Sequence, residues 1–288
     1  MYESVYRPAV EYPLAQSFVT ATNLDLIEKT TLPVIYSKCR YNRNTARKVL
    51  QGPRALGGAG FMPLTVSTGT GYVLHFLKHW RTPHEEAGRL LRITLAWYQY
   101  QAGVSYPVLT NPTTDLSYTQ SNFIPAVRNY LREIQGSIKV DKPYIYPKLR
   151  ANDRSIMEIA QELDLTPIQM KRLNQVRIHL GVMWLSEIST IQGTRIRSHI
   201  TDYKKQEIEY KPTLTKPYQP RPNGASWRIL TRVLKFITRS DNITLLPSYT
   251  LGLWTKNHST IGLWQAYTDS TKTKVWVRDE NTKWHVCQ

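Results

Sequence analysis

Arg228, Arg232, Lys235 and Arg239 follow one another at spacings of four, three and four in SWRILTRVLKFITRS, with Trp227, Leu230, Val233, Leu234 and Ile237 between them. On a helix that pattern puts the cations on one face and the apolar residues on another. Such a face can bind phosphates, meet an acidic partner or stand in solvent. A second set of cations, Arg43, Arg47, Lys48 and Arg54, leads into the glycine-rich run GPRALGGAGFMPL, and Lys78, Arg81, Arg89 and Arg92 follow on two amphipathic helices. Side chains that track a duplex backbone are of these types, because phosphate contacts are sequence-independent and driven by counterion release. A solvated helical surface would have the same composition.

The middle of the chain offers base-edge chemistry. Asn152 is expected to cap a helix in NDRSIMEIAQEL with the stripe Ile156, Ile159, Ala160 and Leu163, Asp164-Leu165 makes a short turn, and Thr166-Pro167 opens a second helix. This is a helix-turn-helix outline. A reader of this kind would present Gln169, Lys171, Arg172 and Gln175 to the major groove or its phosphates. Two short helices around a tight turn also occur as ordinary core, and the local excess of cations is small, 6 basic against 5 acidic residues over 151–200.

No catalytic constellation emerges. His75 and His79 stand four apart on a helix, but Phe76 occupies the position of the glutamate in His-Glu-x-x-His, so no metal ligand is assigned. The glycine run lacks the Gly-Lys-Ser/Thr ending of a phosphate-binding loop, and its glycines are read as the price of a tight turn. Cys39 and Cys287 give neither a zinc ribbon nor a disulfide framework. No serine or cysteine nucleophile sits in a recognisable elbow, and no cofactor is expected.

Helices are expected to position these residues. One runs from Asn23 to Lys38; past the glycine turn Val73, Leu77 and Trp80 mark another. Thr82-Pro83 then starts a helix that ends at Gly103, carrying Glu85 and Arg89 as a surface pair and Leu90, Leu91, Thr94, Leu95, Trp97 and Tyr98 as its apolar stripe. The second helix of the helix-turn-helix outline is expected to be long, running through Leu173, Val176, Leu180, Met183 and Trp184 toward Ile188, with Gly181 either bending it or admitting a close neighbour. Residues 204–224, with Pro212, Pro217, Pro220 and Pro222, read as an extended linker, and Trp264–Thr268, Lys274–Arg278 and Lys283–Cys287 read as a three-stranded meander.

The charge is the outlier of the composition. The 288 residues carry 38 Lys and Arg against 21 Asp and Glu, a formal +17, concentrated in 41–100 (8 against 2) and 201–288 (14 against 7). That balance points to polyanions. The apolar runs are short, and the first residues lack the basic and apolar regions of a signal peptide, so an intracellular protein with no membrane partner is expected, in nucleus or cytoplasm.

The run Tyr6-Arg-Pro-Ala-Val-Glu-Tyr-Pro-Leu, the helix over Asn23 to Lys38 and Gly52-Pro-Arg-Ala-Leu-Gly-Gly-Ala-Gly-Phe resemble the segment that follows the catalytic palm in reverse transcriptases of non-LTR-like retroelements. The order LGGAGF, LLRITLAWYQYQAGVSYPVL, LRANDRSIME, QMKRLNQVRIHLGVMWLSEIST and WQAYTDSTKTKVWV is similar to that of uncharacterised retroelement reading frames of algae and related protists, over nearly the whole chain. Polymerases of that family hold two metal ions through aspartates, one pair in a Tyr-x-Asp-Asp turn, and no Asp-Asp occurs here. The resemblance therefore implies a thumb and downstream region that lacks the chemistry, with Met1 falling after the active site. It would belong to an RNA-directed DNA polymerase if the gene extends upstream.

These readings combine into a mainly α chain: a thumb-like helical region over 1–150, a helical region with the helix-turn-helix outline over 151–203, the linker over 204–224, and a basic helix with a small antiparallel β meander over 225–288. The expected partners are primer-template or element RNA and the polymerase core of the same element. A helix-turn-helix DNA-binding module and a structural or protein-interaction role stand as alternatives.

Overall fold

Residues 6–14, 17, 19–42, 44–119, 123–141, 145, 148–201 and 222–254 are described by a computed structural model, together with the backbone of 265–268, 275–278 and 284–287. The expected linker, except 222–224, lies outside the described residues, as does Arg43. The fold is mainly helical: α1 (Arg7–Leu14), α2 (Ala21–Lys38), α3 (Arg47–Gln51), α4 (Leu64–Trp80), α5 (Glu86–Ala102), α6 (Phe123–Glu133), α7 (Ile156–Gln161), α8 (Pro167–Leu180), α9 (Leu185–Ile188), α10 (Ser198–Thr201) and α11 (Gly224–Ile237). Two compact units form, one from 1–95 with 120–139 and one from 96–119 with 140–288. This differs from the expected linear division, because α5 begins in the first unit and ends in the second.

In the first unit α1, α2 and α6 pack against α4, which buries Leu64, Thr68, Gly69, Tyr72 and Phe76. Pro63 offers α4 no side-chain cap. Glu28 of α2, itself buried, supplies one by accepting the Leu64 N–H. The glycine run before it is a turn whose geometry dictates its composition. Gly57 and Gly60 have φ of +81° and +74°, and a Cβ on Gly58 would stand 2.1 Å from the Gly52 carbonyl oxygen. The turn delivers Phe61 to a cluster with Leu32, Tyr36 and Leu50.

Helix α5 starts at Glu86, later than Thr82-Pro83, because the Glu85 N–H first closes a turn on the Thr82 carbonyl at 3.2 Å. Glu85 thus precedes the helix, and its carbonyl accepts the Arg89 N–H. Gly103 ends the helix as expected, with φ +65°. The buried stripe is Leu91, Leu95, Tyr98 and Ala102, whereas Leu90 and Ile93 of the same helix are 63% and 65% exposed.

In the second unit Ser155, not Asn152, caps α7. Its Oγ accepts from the Met157 and Glu158 N–H groups and donates to the Gly103 carbonyl, while Asn152 takes a left-handed φ of +59° in the preceding turn. Thr166 caps α8 as expected, and Gln169 completes a capping box by accepting the Thr166 N–H at 3.0 Å. Gly181 does not bend a longer helix; at φ +68° it ends α8, and the chain re-enters a helix only at α9. Helix α11, capped by Asn223, packs on α8 and buries Ser226, Trp227, Leu230, Val233, Leu234 and Ile237. Arg239 lies beyond its end, since Thr238 is already extended.

Around these helices runs a ladder of isolated antiparallel bridges: Ser189 with Ile196, Arg195 with Thr244, and Thr238 with Leu245. It joins segments on both sides of residues 202–221.

Candidate nucleic-acid interface

The cations singled out in the first unit differ in what holds them. Lys48, Lys78, Arg81 and Arg89 are exposed, the second in the last turn of α4 and the third at its C-cap. Arg47 is bound to Asp25 at 3.0 Å, and Asp25 also meets Lys29 at 2.6 Å. Hydrogen bonds from Lys29 and then Arg47 hold the Asp25 carboxyl below its ordinary range. Arg54 folds back on the glycine turn, donating to the Ala59 carbonyl at 3.3 Å. Arg92 is half-buried, its guanidinium 4.0 Å from the Trp80 ring centroid and donating to the Trp80 carbonyl at 3.0 Å. Arg47, Arg54 and Arg92 thus have intramolecular work, whereas Lys48, Lys78, Arg81 and Arg89 present their charge to solvent.

His75 and His79 sit side by side on α4 with ring centroids 4.4 Å apart, and Phe123 edges onto His75 at 5.5 Å. Burial, then the neighbouring His79 and Lys78, push the His75 pKa down. Among the described residues no third histidine, cysteine or carboxylate joins them as a ligand group.

In the second unit the cations are carried by the packed helices. Arg228, Arg232 and Lys235 are exposed on α11, opposite its buried face, and that helix has no acidic residue. On α8, Ile168, Lys171, Arg172 and Gln175 are exposed at positions i, i+3, i+4 and i+7, one continuous face. Gln169 is spent on the capping box. A cavity of about 320 Å³ opens beside the start of α8, lined by Asp115 and Asp164 among others. Carboxylates there repel phosphates approaching that end of the helix, whereas α11 itself carries no acid.

Two further arginines, unmarked in the sequence, are structural. Arg177, only 1% exposed, donates to the carbonyls of Tyr100, Gln101 and Val182 and to Asn174 Oδ1, and so caps the C-terminal turn of α5. Arg150, 3% exposed, donates to the carbonyls of Gly252 at 2.8 Å and Ile191 at 2.7 Å. The exposed Arg195 and Arg197 were also passed over; their alternation after Gly193 was the available signal.

Buried carboxylates lie beneath this framework. Asp153 is 1% exposed and its Oδ1 accepts the N–H groups of Ser186 and Arg154, both at 3.1 Å. Glu187 accepts the Met183 and Trp184 N–H groups at 2.6 and 2.7 Å. Burial outweighs these bonds and pushes both pKa values up. A carboxyl raised on folding adds stability below its unfolded pKa and loses that contribution as pH rises through its folded pKa. The Asp153→Asn variant keeps the Oδ1 acceptor without the charge. Its melting temperature relative to the parent should therefore rise between mildly acidic and neutral pH; a constant difference would exclude Asp153 from the pH dependence.

Comparison with protein families, with curated proteins and with solved structures finds no match.

Proposed function

We propose that this chain is a non-catalytic, nucleic-acid-binding region of a retroelement reverse transcriptase, gripping the phosphate backbone of primer-template or element RNA inside the cell. The observation that carries the reading is α11: the face that packs on α8 buries Trp227, Leu230, Val233, Leu234 and Ile237, and its other face presents Arg228, Arg232 and Lys235 with no acid among them. These exposed charges can be removed without touching the buried face that holds the helix. That makes the reading testable. Binding of the chain to a labelled duplex should weaken steeply with salt, and Arg228→Ala/Arg232→Ala/Lys235→Ala should lower the log–log slope by about 2.7, at about 0.9 per phosphate contact on duplex DNA. Equal slopes for parent and variant would remove α11 from the interface.

A helix-turn-helix reading has its own support in the exposed face Ile168, Lys171, Arg172 and Gln175 of the capped helix α8. It requires binding that discriminates between sequences, which backbone contacts do not give. The acidic cavity at the start of α8 places it second. A protein-interaction role without nucleic acid would show as absence of binding at physiological salt.

The tail is proposed to be a small antiparallel meander attached to this unit. Support comes from the backbone, in which β1 (Gln265–Thr268), β2 (Val275–Arg278) and β3 (Trp284–Cys287) pair antiparallel in chain order, Tyr267 opposite Trp276 and Trp276 opposite Val286. Among the described residues no helix is long and apolar enough to cross a membrane.

A further inference from the structure

The ladder sorts its residues by face. The Arg195–Thr244 pair is flanked by bonds from the Ile196 N–H to the Ile243 carbonyl and from the Leu245 N–H to the Thr194 carbonyl, both 2.8 Å. Thr238 and Leu245 pair on the other side of the same segment, flanked by the Arg239 N–H on the Thr244 carbonyl at 2.7 Å and the Leu246 N–H on the Ile237 carbonyl at 2.9 Å. Opposed residues share a face and successive residues alternate. Ser189, Ile196, Leu245 and Thr238 accordingly fill the inner face, all 5% exposed or less. Arg195, Thr244 and Arg239 form a row on the outer face, joined by Arg197 two residues past Arg195. All three arginines are exposed.

Among the described residues one acid, Asp241, stands near this row, and it is already engaged. Asp241 accepts the N–H groups of Ile243 at 3.0 Å and Thr244 at 2.8 Å and the Thr244 hydroxyl at 2.5 Å, which makes the tight turn between the two segments. Among the described residues its single charge leaves the arginine row in excess. Arg197 has its Nε fixed on the Ser189 carbonyl at 2.9 Å, which sets the plane of its guanidinium.

We propose that this outer face, Arg195, Thr244 and Arg239 with Arg197, is a phosphodiester-binding patch that carries the nucleic-acid track of α11 beyond the end of the helix. It rests on the nucleic-acid reading above and extends it to residues off the helix. Three features select this ligand. The cations are all arginine, whose planar fork grips a phosphate through two parallel bonds. They are mounted on hydrogen-bonded backbone, so little order is lost on binding. Two ladder steps of about 4.8 Å separate Arg195 from Arg239, a reach suited to neighbouring phosphates of one strand. Lys235, four residues before Arg239, makes the track continuous with α11. The row carries no large apolar side chain to insert among lipid tails, which favours a nucleic acid over an anionic membrane.

The test is fluorescence anisotropy of the full chain on a labelled DNA duplex and an RNA–DNA heteroduplex across a salt series, with a thermal melt of each variant. Arg195→Ala/Arg239→Ala should lower the log–log slope by about 1.8, two contacts at about 0.9 each. Arg195→Gln/Arg239→Gln keeps side-chain length and polarity and should lower it equally, so a folding defect in the alanine pair would not hide the result. Slopes equal to the parent in folded variants overturn the patch; if the α11 triple variant still flattens the slope, only the patch falls. A parent chain that binds neither duplex, or that binds phosphatidylserine vesicles instead, overturns both the patch and the reading beneath it.

Discussion

Replacing Arg177 by methionine should lower the stability of the second unit by about 4 kcal/mol, a displacement of about 10 °C in its melting transition. The guanidinium is 1% exposed and its donors reach Tyr100 O at 2.5 Å, Asn174 Oδ1 at 2.9 Å, and Val182 O and Gln101 O at 3.2 Å. The bonded acceptors are mostly carbonyls left over where α5 and α8 end, and methionine fills the volume while donating to none of them. Gln101 O keeps the Asn174 amide at 2.9 Å, but Tyr100 O and Val182 O lose the guanidinium, and unsatisfied buried carbonyls cost about 1–3 kcal/mol each, so the loss exceeds what restored apolar packing returns. Lysine should recover only part, because its ammonium lacks the fork that reaches both helix ends. The effect should be confined to amides of 96–119 and 140–254 in hydrogen exchange. Protection unchanged there would mean that the arginine stabilises nothing its neighbours do not already hold.

The largest expected effect in the first unit comes from a glycine. Gly69 lies inside α4, where alanine would ordinarily stabilise a helix by about 1 kcal/mol. Here an added Cβ would stand 2.0 Å from Tyr130 Cδ2 and 2.3 Å from Cγ, at the root of the ring. The ring is further tied by the Tyr130 hydroxyl and Thr70 Oγ1 at 2.9 Å, so it cannot simply swing away. Gly69→Ala should therefore cost about 2–3 kcal/mol by forcing α6 off α4. The double variant with Tyr130→Ala isolates the cause: removing the ring should rescue part of the loss, giving a non-additive cycle. A neutral Gly69→Ala would show that α4 and α6 separate freely at this point.

Much of this architecture is legible in the residues. The Thr166-Pro167 start of α8, the two faces of α11, the glycine turn before Phe61 and the stop at Gly103 all rest on local rules of capping, periodicity and left-handed backbone. Gly181 is harder to read, because the apolar positions that follow it resemble a continuing helix, and only the backbone dihedral distinguishes a bend from an end. The candidate site divides in the same way. Charge and spacing marked Arg228, Arg232 and Lys235, but nothing local separates the exposed Arg172 from the buried Arg177 five residues later. The difference lies in Tyr100 and Gln101, more than seventy residues away in the chain. Arg239 was assigned to the helix because the four-residue spacing persists past Ile237, although Thr238 has left helical geometry and joined the ladder.

The ladder also decides how the second unit holds together as a covalent object. Its partners 189–197 and 238–246 lie on opposite sides of residues 202–221, and α8 and α11, which share a buried face, lie on opposite sides as well. The peptide bonds between those stretches are therefore not what keeps the halves in register. A chain divided at this point, or two separately made fragments, would retain every bridge and the whole α8–α11 contact, with concentration taking over the role of the tether. The arginine row and the basic face of α11 thus draw on segments that meet through these bridges and the α8–α11 face rather than through adjacency in the chain.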